Sequence, residues 1–138
     1  MSKMYITRRE VFSASHRLWN PHLTEDQNID LYDKCAGTNG HGHNFVLEVT
    51  IFGEVEGRSG YVIDLKKLKE ILRQEIIQKV DHKHLNYDVD FLRDIIPTSE
   101  NIVKVFWKLL ESKVGRGRLY SIRMHETENN MVEYRGDE

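Results

Sequence analysis

The stretch NFVLEVTIFGEV, residues 44–55, sets Phe45, Leu47, Val49 and Ile51 on one side of an extended chain and Glu48 and Thr50 on the other. A period of two marks a strand with one buried face. Residues 4–14 carry the same β character, so the two segments predict a pair of long antiparallel strands. Further on, LYSIRMHE and NMVEY predict two more strands near the C-terminus. Between the two pairs the period changes. Residues 65–80 place Leu65, Leu68, Leu72, Ile76 and Val80 at steps of three and four, with Asp64 positioned as N-cap, which predicts one amphipathic helix. A second helix follows Pro97, where Thr98 and Ser99 can cap and Ile102, Phe106, Leu109 and Leu110 form a stripe ending near Gly115. Both stripes can share one core on one face of an antiparallel sheet, so the expected class is α+β, with four strands and two helices.

The chain has 138 residues, the size of one domain, and no repeat or linker-like segment divides it. Apolar residues make up 39% and charged residues 30%, so a core can form. A net charge of −2 argues against neutralising a nucleic-acid backbone. No apolar run approaches a membrane span, and MSKMYITRREVF lacks the apolar stretch of a signal peptide. The expectation is a cytoplasmic protein without nucleic-acid or membrane partners. The single cysteine, Cys35, excludes an intrachain disulfide.

Seven histidines are the oddity of the composition. In HGH, His41 and His43 are two residues apart, so an extended backbone sends both imidazoles to one side. His16, in FSASHRL, ends the first predicted strand, and pairing with 44–55 could bring it beside them. Three neutral imidazoles suit Zn²⁺ and leave one position open, as in catalytic zinc sites. Two other readings stay open. The histidines could be ordinary hydrogen-bonding residues, or Cys35 could supply a thiolate and close a structural Cys–His₃ site. His22, His84 and His125 have no comparable pairing.

Cys35 lies in the polar, glycine-rich DKCAGTNGHGH, which fits a core cysteine poorly. Asp81 and His82, in VDHKHL, could hold or relay a proton, or could simply end the helix. Glu126, at the end of a predicted strand in HETENN, could accept two N–H bonds from a flat nitrogen heterocycle, or be a solvated turn residue. Gly37, Gly40 and Gly42 match neither dinucleotide nor P-loop patterns.

FSASHRL, C-x₅-HGHN, VDHKHLN, PTSEN and HETENN, in this order, resemble the 6-pyruvoyltetrahydropterin synthase family over nearly the whole chain. The resemblance implies the tunnelling fold, a four-stranded antiparallel sheet with two helices on one face, assembling into a homohexamer around a barrel. It implies a lyase acting on 7,8-dihydroneopterin triphosphate, with Zn²⁺ held by His16, His41 and His43 and room for Mg²⁺ with the triphosphate. It assigns Cys35 as general base and Asp81 and His82 as relay. Glu126 becomes the pterin anchor and a relay member, and Thr98 and Ser99 small hydroxyl residues beside the pterin. A sister activity, 6-carboxytetrahydropterin synthase, typically resembles C-x₃-HGH. Here five residues separate Cys35 from His41, the spacing of the pyruvoyl-forming branch. A non-catalytic zinc-stabilised module is the remaining alternative.

Overall fold

The computed structural model describes residues 2–115 and 118–137. Strand β1 (Lys3–His16) leads through helix α1 (Glu25–Tyr32) and a 3₁₀ turn (Asp33–Ala36) to β2 (His41–Glu54). Helix α2 (Leu65–Leu72) passes through a π turn (Arg73–Ile77) into α3 (Gln78–Val80). The short β3 (Lys83–His84), a 3₁₀ turn (Asp90–Leu92), α4 (Ser99–Val114), β4 (Leu119–His125) and β5 (Met131–Tyr134) complete the chain.

The sheet order is β3-β1-β2-β4-β5. The α+β class stands, but the sheet has five strands where four were expected. The extra one is β3, which runs parallel to β1 opposite Ala14 and Ser15 only. Two residues are too few to show a period in sequence. The connection between β1 and β2 contains α1, so there are three helical units where two were expected.

β1 and β2 pair without interruption from Lys3↔Glu54 to His16↔His41. Alternation then sorts the sheet into two faces. Phe12 and Ala14 of β1, Phe45, Leu47, Val49 and Ile51 of β2, and Ile122 and Met124 of β4 are buried beneath α2–α3 and α4. Burying each large apolar side chain fully stabilises by about 1.5–3 kcal/mol. Tyr5 and Val11 remain exposed on the other face.

The expected 65–80 helix is present as one rod, with a local change of pitch. Leu68, Leu72, Ile76 and Val80 are all fully buried, at a strict spacing of four. In an α-helix four residues turn by about 400°, so each step overshoots the last by about 40°. The wider π turn at Arg73–Ile77 absorbs that drift and returns Ile76 and Val80 to the core side. Leu65, read as part of the stripe, lies before it and is exposed. Both expected N-caps form: Asp64 accepts from the Lys66 N–H at 2.9 Å, and Thr98 from the Asn101 N–H at 3.2 Å.

Among the described residues, no helix is long and apolar enough to cross a membrane.

Candidate metal centre

The face that carries the core continues to the end of the sheet, and there its residues become polar. His16 stands opposite His41, and His43 opposite Ala14, so all three imidazoles fall on the side of Phe12 and Phe45. Those two rings stack at 5.0 Å with an interplanar angle of 16°. The rings of His16 and His43 lie edge-on to Phe45, with centroids at 5.7 and 5.5 Å. Glu126 follows β4 two positions after Met124, whose side chain is buried on the same face.

One donor atom from each of His16, His41, His43 and Glu126 lies within 4.8 Å of the others. The Nε2 atoms of His16 and His41 are 3.1 Å apart. Glu126 Oε1 is 3.0 Å from His43 Nε2 and 3.5 Å from His16 Nε2. His16 is only 1% exposed, and its Nδ1 lies 2.8 Å from the Pro97 carbonyl oxygen. A carbonyl only accepts, so Nδ1 carries the proton and Nε2 presents a lone pair to the cluster. Burial pushes the His16 imidazole below its ordinary pKa, against the opposing pull of the Pro97 hydrogen bond. Burial, helped by His43, lowers His41 likewise. Both shifts favour the neutral form that binds a metal.

The donor set fits a cation. His43 Nε2 is buried without a hydrogen-bond partner, although the Glu126 carboxylate is 3.0 Å away. Both atoms thus lie close together without a hydrogen bond between them, leaving each available as a ligand. The donor that joins the three imidazoles within the chain is Glu126, and Cys35 is not among that group.

The other residues singled out from sequence are placed as follows. Ser99, buried at the first turn of α4, donates its hydroxyl to Glu126 Oε2 at 3.2 Å. A cavity of about 300 Å³ adjoins this pair and is lined also by Glu100, Met124 and Asn130. Thr98 spends its hydroxyl on the helix cap. Cys35 is half-buried in the 3₁₀ turn, and its carbonyl accepts from the Leu18 N–H at 2.8 Å. Asp81 accepts from the Ser13 N–H at 2.9 Å and lies 3.1 Å from His82 Nδ1. The Ser13 amide, with His82, holds the Asp81 carboxyl below the usual range. The His82 side chain is 82% exposed. Among the described residues, no hydrogen bond joins the Cys35 thiol to Asp81, His82 or the histidine cluster.

Sequence reasoning missed the residues that hold these segments in place. The Asn86 side chain accepts from the Arg17 N–H and donates to the Arg17 carbonyl, both at 2.8 Å. The Arg17 guanidinium in turn donates to the Ala36 carbonyl at 2.9 Å. Gly40 has φ of +72°, and a Cβ there would sit 2.8 Å from the His16 carbonyl oxygen. An asparagine one residue after HL and a glycine before HGH were visible, but nothing in their spacing shows these partners.

The sequence model described as 6-pyruvoyl tetrahydropterin synthase matches residues 5–137. The chain belongs to the 6-pyruvoyl tetrahydropterin synthase family. A curated relative from Homo sapiens, named 6-pyruvoyl tetrahydrobiopterin synthase, is 40% identical over 96% of this chain and 91% of its own. One from Archaeoglobus fulgidus, named putative 6-carboxy-5,6,7,8-tetrahydropterin synthase, is 36% identical over 90% of this chain and 89% of its own. The solved structure of Caenorhabditis elegans 6-pyruvoyl tetrahydropterin synthase superposes with a TM-score of 0.93 at 38% identity, covering 99% of this chain and 98% of that one. The protein is thus an enzyme of the pterin synthase family, and its histidine–glutamate group could hold a metal ion.

Proposed function

We propose that this enzyme converts 7,8-dihydroneopterin triphosphate to 6-pyruvoyltetrahydropterin with elimination of triphosphate, using Zn²⁺ held by His16, His41 and His43. The observation that carries the reading is the convergence of three imidazoles and Glu126 beside the Ser99 cavity. The C-x₅-HGH spacing favours the pyruvoyl product.

Zn²⁺ held by His16, His41 and His43 would supply Lewis acidity toward the substrate's side-chain hydroxyls, which would acidify hydrogens on the neighbouring carbons. Cys35 Sγ takes up such a proton as general base. Asp81 orients His82 through Nδ1, leaving Nε2 to exchange protons with Cys35 or the side-chain oxygens. Glu126 anchors the pterin by accepting from adjacent ring N–H groups and joins the proton relay. Ser99 steadies its Oε2, and Thr98 lies beside the ring. Hydrogen is redistributed within the substrate, so no external hydride donor takes part.

The same reading is of a single domain in a cytoplasmic homohexamer. Within one chain, Cys35 and the Asp81–His82 pair are not joined by a hydrogen bond among the described residues. β3 covers the outer side of β1 at Ala14 and Ser15 alone, so most of that edge lacks a strand partner in the described chain. Open edges and an uncovered sheet face favour closure into a barrel between chains. Subunit contacts would then complete the relay.

The test is incubation with 7,8-dihydroneopterin triphosphate and identification of the product by mass. 6-Pyruvoyltetrahydropterin is the expected result. 6-Carboxytetrahydropterin with acetaldehyde would assign the sister activity, and unchanged substrate would overturn both.

A further inference from the structure

We infer that Ser13 is a positioning residue: its main chain, at the outer edge of β1, sets the Asp81–His82 pair against the two strands that carry the three histidines. The inference rests on the reading of that pair as the proton relay.

Both main-chain groups of Ser13 are spent on the pair. Its N–H donates to Asp81 Oδ1 at 2.9 Å, and its carbonyl accepts from the His82 N–H at 2.6 Å. Residues 81 and 82 thus take the place of a strand partner just before β3 pairs with Ala14 and Ser15. On its other side Ser13 stands opposite Asn44, whose Oδ1 accepts from the Ser13 hydroxyl at 2.6 Å. Asn44 follows His43 directly, so a single rung of the ladder lies between the relay and the strand of His41 and His43.

Little else orients the imidazole. The His82 side chain is 82% exposed, and among the described residues its one polar partner is Asp81, whose Oδ2 lies 3.1 Å from Nδ1. One carboxylate oxygen is therefore fixed to β1 while the other aims the ring. An anchored, ionised carboxylate accepts from Nδ1–H and leaves Nε2 as the proton acceptor. The Ser13 amide is also the largest influence holding the Asp81 carboxyl below its usual range.

The backbone of His82 points the same way. Its φ is +62°, two residues past the end of α3 at Val80. Helix ends commonly place glycine in this left-handed conformation, because a β-carbon is disfavoured there. A residue that served only to end the helix would favour glycine. Histidine in that place gives up stability, and the Ser13 carbonyl holds its amide.

The tautomer of His82 tests the inference without substrate. Histidine ¹⁵N spectra of the zinc-loaded protein at about pH 8.5, where imidazole is neutral, should show the proton on Nδ1 of His82. The signal that His82→Gln loses assigns the ring. Ser13→Pro deletes an N–H that faces away from β2, a change that strand edges tolerate. In that variant the Nε2–H form should become the major one, while Ser13→Ala, which keeps the N–H, should retain the wild-type tautomer. With substrate, kcat of Ser13→Pro should fall by roughly tenfold or more at little-changed KM, toward the 10²- to 10⁴-fold contribution of a placed acid–base group. The wild-type tautomer in folded Ser13→Pro would overturn the inference, as would a wild-type His82 without the Nδ1 proton. Should Ser13→Pro not fold, the Ser13 amide proton decides: Asp81→Ala should move its resonance upfield, and an unmoved resonance would overturn the inference. A changed tautomer at wild-type turnover would uphold the positioning and count against the relay reading.

Discussion

His16 and His41 face each other across the last rung of the β1–β2 ladder, and their Nε2 atoms meet at 3.1 Å. Two uncharged rings can be held this close, whereas two imidazolium ions cannot. Burial lowers the pKa of both. The unfolded chain takes up these protons near pH 6.5, while the fold resists them until lower pH. The apo-protein should therefore keep its full histidine contribution above about pH 6.5 and lose stability as the pH falls below it. Urea midpoints of metal-free protein between pH 5 and 8 check this; a midpoint independent of pH, or one rising toward acid, would contradict it.

Cys35→Ala should separate metal binding from catalysis. Cys35 is outside the four-donor group, so the variant should retain metal and fold. Loss of a general base should slow turnover by roughly 10²- to 10⁴-fold. Parallel loss of zinc and activity would return the thiol to the metal.

Glu126→Gln keeps the shape of the side chain but replaces one acceptor with a donor. Against two adjacent ring N–H groups the mismatch should cost about 1–3 kcal/mol of pterin binding. Calorimetry with neopterin measures it, and unchanged affinity would remove Glu126 from ring recognition.

Asn86→Ala should disturb the Cys35 turn from a distance. The Asn86 amide brackets Arg17, and Arg17 and Leu18 hold the carbonyls of Ala36 and Cys35. Two lost hydrogen bonds to partly buried backbone should lower stability by about 1–3 kcal/mol. The rate of Cys35 alkylation should change at the same time. Wild-type alkylation kinetics in a destabilised variant would show that the two segments are independent.

The parts legible in the sequence were those governed by a period. Alternation at Phe45, Leu47, Val49 and Ile51 located β2 and its buried face, and fourfold spacing located α2–α3. Helix α1 has no such stripe: Ile29 and Leu31 are exposed. It is held by a capping box between Thr24 and Gln27 and by the buried Asn28 amide, which bonds to the Asn20 backbone. The T-x-x-Q pattern of that box was the available signal. The histidine cluster was foreseeable because strand pairing brings the end of one strand beside the start of the next. Glu126 was seen as an acceptor but not as a partner of the imidazoles, although its parity with Met124 points to the core side. The Pro97 carbonyl that fixes the His16 tautomer is backbone and leaves no trace in the pattern of side chains.

The central claim is that His16, His41 and His43 hold the metal on which the activity depends. Zinc per chain, measured in the wild type and in a His41→Ala, His43→Ala double variant whose circular dichroism confirms folding, tests it most directly. One zinc per wild-type chain and almost none in the variant is the predicted result. Stoichiometric zinc in the folded double variant would contradict it.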